Sequence, residues 1–271
     1  MDLCLLYDNN QTTMSDLPKF TIITICLNES KNIRLTCESI ASQTFKDKEW
    51  IVLDGASTDD TLDILSEFNT HITQLVSESD DGIYHAMNKG IGIARGEYII
   101  FMNGGDVFGT NEALKLVAAA PQTDLIYGDI FLEKVGAEKV QYPTQIKENF
   151  LLKNMLPHQA TFFRRELFYK FGIYDTSYKI AADYELYIRL LELAKVSHHH
   201  IAEPLAVFDR TGISSDQAFR ALRKRENHRI RKKYFNRYRW SPKALRQEMR
   251  ELIHSIIKIK RWRNYSDAFK R

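Results

Sequence analysis

The sequence predicts an α/β fold with a central, mostly parallel sheet flanked by helices. Short β-branched segments alternate with helical patterns over the first hundred or so of the 271 residues, an order typical of parallel strands joined by right-handed crossovers. The segment 98–102 is continuously apolar, as expected of a strand covered on both faces. Acidic loops with Glu29, Asp54 and Asp106 follow three strands. We expect these carboxylates to gather at the carboxyl edge of the sheet, where open α/β folds bind ligands.

The predicted strands are rich in β-branched or aromatic residues and end at turn-forming residues. The first has the sequence FTIITIC, and the second, EWIVL, stops at Asp54 and Gly55. In chain order the predicted strands are 20–26, 49–53, 72–76, 98–102, 124–132 and 160–163.

Helices are predicted where apolar residues recur at helical spacing between these strands. They are 31–42, one from about 58, 83–94, 111–120 and one opening at Asp183. The candidate N-caps of the first three are Ser30, Ser57 or Thr58, and Asp80 or Asp81. On the third helix, Asn88 and Lys89 lie away from the apolar stripe, toward a ligand or solvent. Asp183 is either a helix cap or a general base at the mouth of a cleft.

Composition indicates a cytoplasmic protein with one large domain or a domain plus an appendage. Hydrophobic residues make up 44% of the chain, which is ordinary for a globular protein. The three cysteines are odd in number and lack metal-ligand spacing, which favours a reducing compartment. No apolar run approaches the ~20 residues that cross a bilayer, and the polar start lacks the basic region of a signal peptide.

Basic charge is concentrated at the C-terminal end. Residues 218–271 hold 19 Lys and Arg against 4 Asp and Glu, whereas the other residues hold 19 against 31. Such a segment is attracted to a polyanion, either an anionic membrane or a nucleic acid. Its apolar residues at helical spacing are Leu245, Met249, Leu252, Ile253, Ile256 and Ile257. This stripe suits a membrane interface or packs against the protein's own core.

We therefore divide the chain into a polar leader at 1–19, an α/β domain at 20–217 and a basic helical tail at 218–271. The domain has a first half at about 20–108 and a second at about 109–217.

The stretch around Asp106 is the strongest candidate for ligand chemistry. Gly104 and Gly105 precede it without side chains, so a bulky ligand can approach the backbone while the carboxylate holds a hard cation. This predicts a metal-bound diphosphate at Asp106, against the alternative of an ordinary turn. No GxGxxG follows the first strand and no GxxxxGK[ST] occurs, so dinucleotide and P-loop sites lack their motifs.

Several motifs occur in an order and spacing that together are specific. They are FTIITICLNES at 20–30, EWIVLDGASTDDT at 49–61, SESDDGIYHAMNKGIGIARGEYIIFMNGGD at 77–106, LPHQATFF at 156–163 and AADYEL at 181–186. Together they resemble the family 2 glycosyltransferases, which share the GT-A fold. The resemblance covers about 20–215 and is closest to the bacterial colanic-acid and O-antigen type of enzyme that builds surface polysaccharides.

The resemblance implies a role for each matching residue. Asp106 would bind Mg²⁺ or Mn²⁺ bridging the donor diphosphate, and Asp183 would be the general base of an inverting transfer. The first half would bind the nucleotide-sugar and the second half the acceptor. The implied nucleotide-sugar contacts are Asn28, Glu29, Asp54, Ser57, Asp59, Asp81, Lys89 and Gly105.

Two positions depart from the family pattern. Gly104 stands where the D-x-D motif has its first carboxylate, so His158 is a candidate second metal ligand or an acceptor contact. His85 stands where the subgroup usually has Asp, and we interpret it as a surface helix position.

The favoured hypothesis is sugar transfer to a lipid-linked saccharide on undecaprenyl diphosphate at the inner face of the cell membrane, for O-antigen, capsule or exopolysaccharide. The basic tail would contact the anionic membrane, and no nucleic acid is expected. A sugar nucleotidyltransferase is the alternative enzyme, although it needs a basic triphosphate loop and 27–31 offers only Lys31. The non-enzyme alternative is a nucleotide-sugar or polyanion-binding protein.

Overall fold

A single mixed sheet organises the part of the chain that the computed structural model describes, namely 17–132, 138–208 and 217–235, with positions 238, 242, 245, 246 and 249. Its strands are β1 Phe20–Cys26, β2 Lys48–Asp54, β3 Gln74–Ser77, β4 Tyr98–Phe101, β5 Val107–Phe108, β6 Leu125–Leu132, β7 Glu138–Val140, β8 Thr161–Arg164 and β9 His198–Phe208. Their order is β3-β2-β1-β4-β8-β6-β9-β5, and β7 pairs with β6.

The first four strands are parallel, as predicted. Ile23 on β1 is paired with Ile51 on β2 and with Phe101 on β4. β8 is antiparallel to both β4 and β6, whereas β6 and β9 form a long parallel pair. Most paired residues therefore lie in parallel ladders, and the loops after β1, β2, β3 and β4 share one edge of the sheet, the carboxyl edge.

The helices cover both faces of this sheet. They are α1 Ile33–Ala41, α2 Thr61–Ser66, α3 Ile83–Ile93, α4 Ala113–Ala118, α5 Glu166–Phe171, α6 Ala182–Tyr187 and α7 Arg220–Tyr234. A π-helical segment, Ile188–Leu193, continues α6. Residues Tyr98 and Ile100 pack with α1, α2 and α4, while Ile99 and Phe101 pack with α3, α5 and α6. This two-sided burial explains why the β4 segment is continuously apolar.

The predicted helix caps are wrong. The residues before α1, α2 and α3 are Asn32, Asp60 and Gly82, and none makes a side-chain capping hydrogen bond. Ser57 donates its hydroxyl to Asp54 instead. The other residues predicted as caps make different contacts. The Ser30 N–H donates to Asp59 and the Thr58 N–H donates to Asn28. Asp80 forms an ion pair with Lys89, and Asp81 is exposed. Local spacing cannot reveal partners that lie on another loop.

The start of the basic tail is packed against the domain. Glu226, His228 and Ile230 of α7 are buried. Leu245 and Met249 are 48% and 62% exposed, and the rest of the predicted 245–257 stripe lies outside the described residues, as do 1–16. Within the described ranges, no helix combines the length and apolar character needed to cross a membrane.

Candidate active site

Two loops at the carboxyl edge are held together by hydrogen bonds between side chain and backbone. The Asn28 N–H donates to Ser57 Oγ at 2.8 Å, and the Thr58 N–H donates to Asn28 Oδ1 at 2.9 Å. The Glu29 N–H donates to Thr61 Oγ1 at 2.8 Å. Asn28 adopts φ 53°, a left-handed conformation that Asn tolerates better than most residues. The loops after β1 and β2 therefore form one continuous surface.

Asp54 and Asp59 hold this surface in place by accepting hydrogen bonds from its loops. Asp54 is buried and accepts from the Ser57 N–H at 2.9 Å and the Ser77 hydroxyl at 2.6 Å. Asp59 accepts from the Thr61 hydroxyl and the Ser30 N–H, and these bonds, led by that from Thr61, hold the pKa of Asp59 well below its usual range. Both carboxylates are thus committed to holding the loops in place.

Lys89 is held at the same edge by two acids. Its Nζ donates to Glu78 at 2.8 Å and to Asp80 at 2.6 Å. The hydrogen bond that Lys89 donates to Asp80 is the main cause of the raised pKa of Lys89, which stays charged. His85 Nδ1 lies 3.4 Å from the same Asp80 oxygen, and Asp81 is exposed beside this cluster. His85 is on the surface of α3, with its side chain 41% exposed, and lies beside the ion pair of Asp80 and Lys89.

The loop after β4 has two glycines because it is pinned closely against β1 and α1. The Gly104 N–H donates to Ile25 O at 2.9 Å, and a Cβ at Gly104 would lie 2.9 Å from Glu29 Cγ. Gly105 has φ +97° and donates its N–H to Thr36 Oγ1 at 3.0 Å. These contacts bring the start of the Asp106 turn beside Glu29.

The donor atoms at this turn suit an ion held largely by phosphates. Asp106 supplies one half-buried carboxylate, and Asn103 Oδ1 is buried without a hydrogen-bond partner among the described residues. In that part of the chain, no group of three or more His, Cys, Asp or Glu residues is arranged to hold a metal alone. Mg²⁺ sites commonly use one or two carboxylates together with substrate phosphates and waters. The residues present fit that arrangement.

His158 lies in an aromatic cluster under the end of β4. Its Nε2 is 2.8 Å from the Tyr174 hydroxyl, and its ring stacks on Phe101 with centroids 5.1 Å apart. Burial lowers the pKa of His158 to about 4, so the ring is neutral near pH 7. A metal or acceptor contact by His158 stays a prediction, and with Nε2 engaged it would have to use Nδ1.

Asp183 is the second residue of α6 and is half-buried. Its Oδ1 accepts from the Tyr84 hydroxyl at 3.1 Å and from the Tyr184 N–H at 2.7 Å. Burial raises the pKa of Asp183 to about 6. Tyr84 is near the start of α3, which follows the carboxyl end of β3, so Asp183 is joined to the edge that carries Asp54 and Asp106. A carboxylate with this pKa is suited to accept a proton near neutral pH.

Asn88 differs from the expectation that it faces ligand or solvent. Its side-chain amide donates to Tyr174 O and accepts from the Tyr174 N–H, both at 2.9 Å. Tyr174 in turn lies 5.4 Å from the Tyr84 ring. Asn88 therefore holds the segment before α6 against α3. The sequence around Asn88 does not predict this role, because its partner, Tyr174, is distant in the chain.

A model of glycosyl transferase family 2 matches residues 21–179. The chain belongs to this family. A PGL/p-HBAD biosynthesis glycosyltransferase of Mycobacterium bovis strain BCG is 34% identical over 184 residues, which cover 64% of this chain and 69% of the relative.

Two solved structures share the fold of this family 2 glycosyltransferase. S. aureus TarS 1–349 in complex with UDP has a TM-score of 0.60 at 18% identity, covering 83% of this chain and 73% of that fragment. A mannosyltransferase from Pyrobaculum calidifontis in complex with GDP-Man and Mn²⁺ has a TM-score of 0.60 at 20% identity, covering 80% and 64% of the two chains. The predicted GT-A-like fold is confirmed.

Proposed function

We propose that this family 2 glycosyltransferase moves a sugar from a nucleoside-diphosphate donor to a hydroxyl of a lipid-linked oligosaccharide, in bacterial surface polysaccharide synthesis. The observation that carries the proposal is that two carboxylates are connected to the carboxyl edge of the sheet, Asp106 in the loop after β4 and Asp183 through its hydrogen bond with Tyr84. Both side chains are half-buried; Asp106 follows the glycine turn after β4, whereas burial raises the pKa of Asp183 to about 6. One suits a cation and the other a proton.

The donor half would bind the nucleotide on the surface formed by the loops after β1 and β2. Asn28, Glu29 and Ser57 would line it, with Asp54 and Asp59 holding the loops in shape. Lys89, Asp81 and Gly105 would lie toward the diphosphate. The UDP complex of TarS and the GDP-Man and Mn²⁺ complex of the mannosyltransferase support a nucleotide donor.

Asp106 would hold Mg²⁺ or Mn²⁺, with the Asn103 amide oxygen within the same turn. When bound, such an ion neutralises the charge that develops on the leaving diphosphate. At Gly105 a Cβ would meet, among the described residues, only Asn32 Cβ, at 3.8 Å, so the diphosphate would approach the backbone at this glycine.

Asp183 would accept the proton of the attacking hydroxyl. The hydroxyl oxygen forms a bond to the anomeric carbon while the bond from that carbon to the diphosphate oxygen breaks. The proton passes to the Asp183 carboxylate, and the nucleoside diphosphate leaves with the electron pair. Tyr84 would orient the carboxylate through its hydrogen bond. A single displacement of this kind inverts the anomeric centre.

The lipid-linked acceptor is proposed from charge. α7 exposes the basic residues Arg220, Lys224, Arg225, Arg229 and Lys233. An undecaprenyl diphosphate carrier and the inner leaflet of the cell membrane are both anionic, so this face would bring the enzyme to its acceptor as a peripheral protein.

Purified protein is tested with UDP-, GDP-, dTDP- and CDP-sugars, with and without Mn²⁺, by calorimetry and by release of nucleoside diphosphate. One donor should bind in a metal-dependent way, and Asp106→Ala should weaken that binding at least tenfold. Asp63→Ala, which removes an exposed carboxylate on α2, is the matched control. Absence of binding by every donor would refute the proposal.

A further inference from the structure

Glu226 is a buried acid on an otherwise basic helix. It is the one acidic residue of α7, whose sequence is RALRKRENHRIRKKY, and it is 6% exposed. Its carboxylate accepts three consecutive backbone N–H groups, from Lys179 at 2.8 Å, Ile180 at 2.9 Å and Ala181 at 3.0 Å. Three charge-assisted bonds to one short segment make Glu226 its main anchor.

The anchored segment leads directly into Asp183. Ala181 is the residue before α6 and has no side chain with which to cap it, and Asp183 follows two residues later. The conformation of 179–181 therefore sets where the first turn of α6 begins. A shift of this segment would turn the Asp183 carboxylate away from Tyr84.

Other residues of α7 contact the residues that follow Asp183. Arg231 Nε donates to the Tyr184 hydroxyl at 3.1 Å, and the Tyr234 hydroxyl donates to Glu185. These contacts dock α7 along the start of α6. Arg229 donates to Ser177 O at 3.2 Å, and Glu226 binds the three N–H groups of 179–181, directly before α6.

We infer that Glu226 is a positioning residue, which fixes the segment 179–181 and thereby the Asp183 carboxylate, so that α7 is part of the acceptor-activating structure. This inference rests on the proposed role of Asp183 as general base. It gives the first turns of the basic tail a function inside the active site in addition to any surface contact.

The negative charge of Glu226 makes the pKa of Asp183 a second quantity by which the inference can be tested. The titratable groups facing Asp183 are Tyr84 on α3, Tyr174 before α6, Tyr187 on α6 and Glu226 on α7. Burial raises the pKa of each of these tyrosines, so they stay neutral. The negative charge of Glu226 adds to the effect of burial in raising the pKa of Asp183. Its removal should lower that pKa.

The test compares Glu226→Gln with Glu226→Asp in the full chain, with Glu166→Gln as the matched control, since Glu166 is exposed on α5. Release of nucleoside diphosphate from UDP-, GDP-, dTDP- and CDP-sugars with Mn²⁺ is followed against pH. Glu226→Gln should lower kcat by about 10- to 100-fold, because a small misplacement of a catalytic group has effects of that size. The donor KM should stay unchanged, and the acidic limb should move to lower pH. Glu226→Asp keeps the charge and should restore the pH profile.

A measurement that needs no turnover accompanies it, namely ¹³C NMR titration of the Asp183 carboxyl. Its midpoint should lie near 6 in the wild type and lower in Glu226→Gln. Equal midpoints, with kcat equal to that of Glu166→Gln, would overturn the inference. If Asp183→Asn retained full turnover, the general-base proposal would fail instead, and the titration would still decide whether Glu226 acts on Asp183.

Discussion

At the scale of single residues, the site depends on glycines that let the Asp106 turn pack against Glu29. A methyl group at position 104 would lie 2.9 Å from Glu29 Cγ, so the turn or Glu29 must move. The sequence resemblance places Gly104 at the position where the D-x-D motif has its first carboxylate. The structure adds that the position is sterically closed.

Gly104→Ala should therefore weaken metal-dependent donor binding about tenfold while the protein stays folded. Gly92 is the matched control, because a Cβ there would meet nothing within 4 Å. Gly92→Ala should leave binding unchanged and stabilise α3 by about 1 kcal/mol. Calorimetric titration and thermal melts check both, and unchanged binding in Gly104→Ala would contradict the description of the turn.

Asp183 also predicts a pH profile. Its pKa is raised to about 6 by burial, and only the deprotonated form accepts a proton. The kcat for donor turnover should therefore rise with pH through about 6 and level off above it, with a value near pH 5 about tenfold below the plateau. A rate that is flat between pH 5 and 7 would count against Asp183 as the base.

At the scale of elements, the sequence predicts strands well and loop partners poorly. The strands β1, β2, β4 and β6 are recognisable because buried parallel strands need continuous apolar residues. The antiparallel insertion of β8 between β4 and β6 cannot be recognised in the sequence, since the residues within a strand do not indicate which strands pair with it. The same limit applies to the site. Asp106 and Asp183 belong to motifs that can be recognised in the sequence. Asn88 and Glu226 cannot be recognised in this way, because each hydrogen-bonds to a backbone segment that is distant in sequence, 86 residues away for Asn88 and about 46 for Glu226.

Asn88 offers a test of such a distant contact. Asn88→Ala removes two hydrogen bonds to the Tyr174 backbone, which should cost about 2 kcal/mol of unfolding free energy. Asn88→Asp keeps the acceptor but places a carboxylate oxygen against Tyr174 O, so it should cost at least as much as Asn88→Ala. Urea unfolding measures both, and a loss below about 0.5 kcal/mol for Asn88→Ala would show that the contact is unimportant.

At the scale of the whole molecule, the first helix of the basic tail, α7, has one side buried against the domain and basic residues that are exposed. α7 is docked on the second half of the domain through buried residues, so deleting 218–271 would damage the domain as well as any membrane contact. The exposed basic face of α7 is the part that can be tested separately.

Lys224→Glu with Arg225→Glu should weaken binding to vesicles of anionic phosphatidylglycerol by at least tenfold, because each basic residue near such a surface contributes about 1 kcal/mol. Lys153→Glu with Lys170→Glu makes the same change of charge at exposed positions outside α7. Vesicle flotation compares the pairs, and equal losses would refute a specific role for α7.

The central claim is that Asp183 is the base for a donor held at the Asp106 turn. The most direct test is a comparison of wild type and Asp183→Asn for donor affinity and for turnover in the same preparation. For Asp183→Asn we expect an unchanged donor Kd with turnover reduced at least 100-fold, since general-base catalysis contributes about 10²- to 10⁴-fold. Wild-type turnover in Asp183→Asn would contradict it.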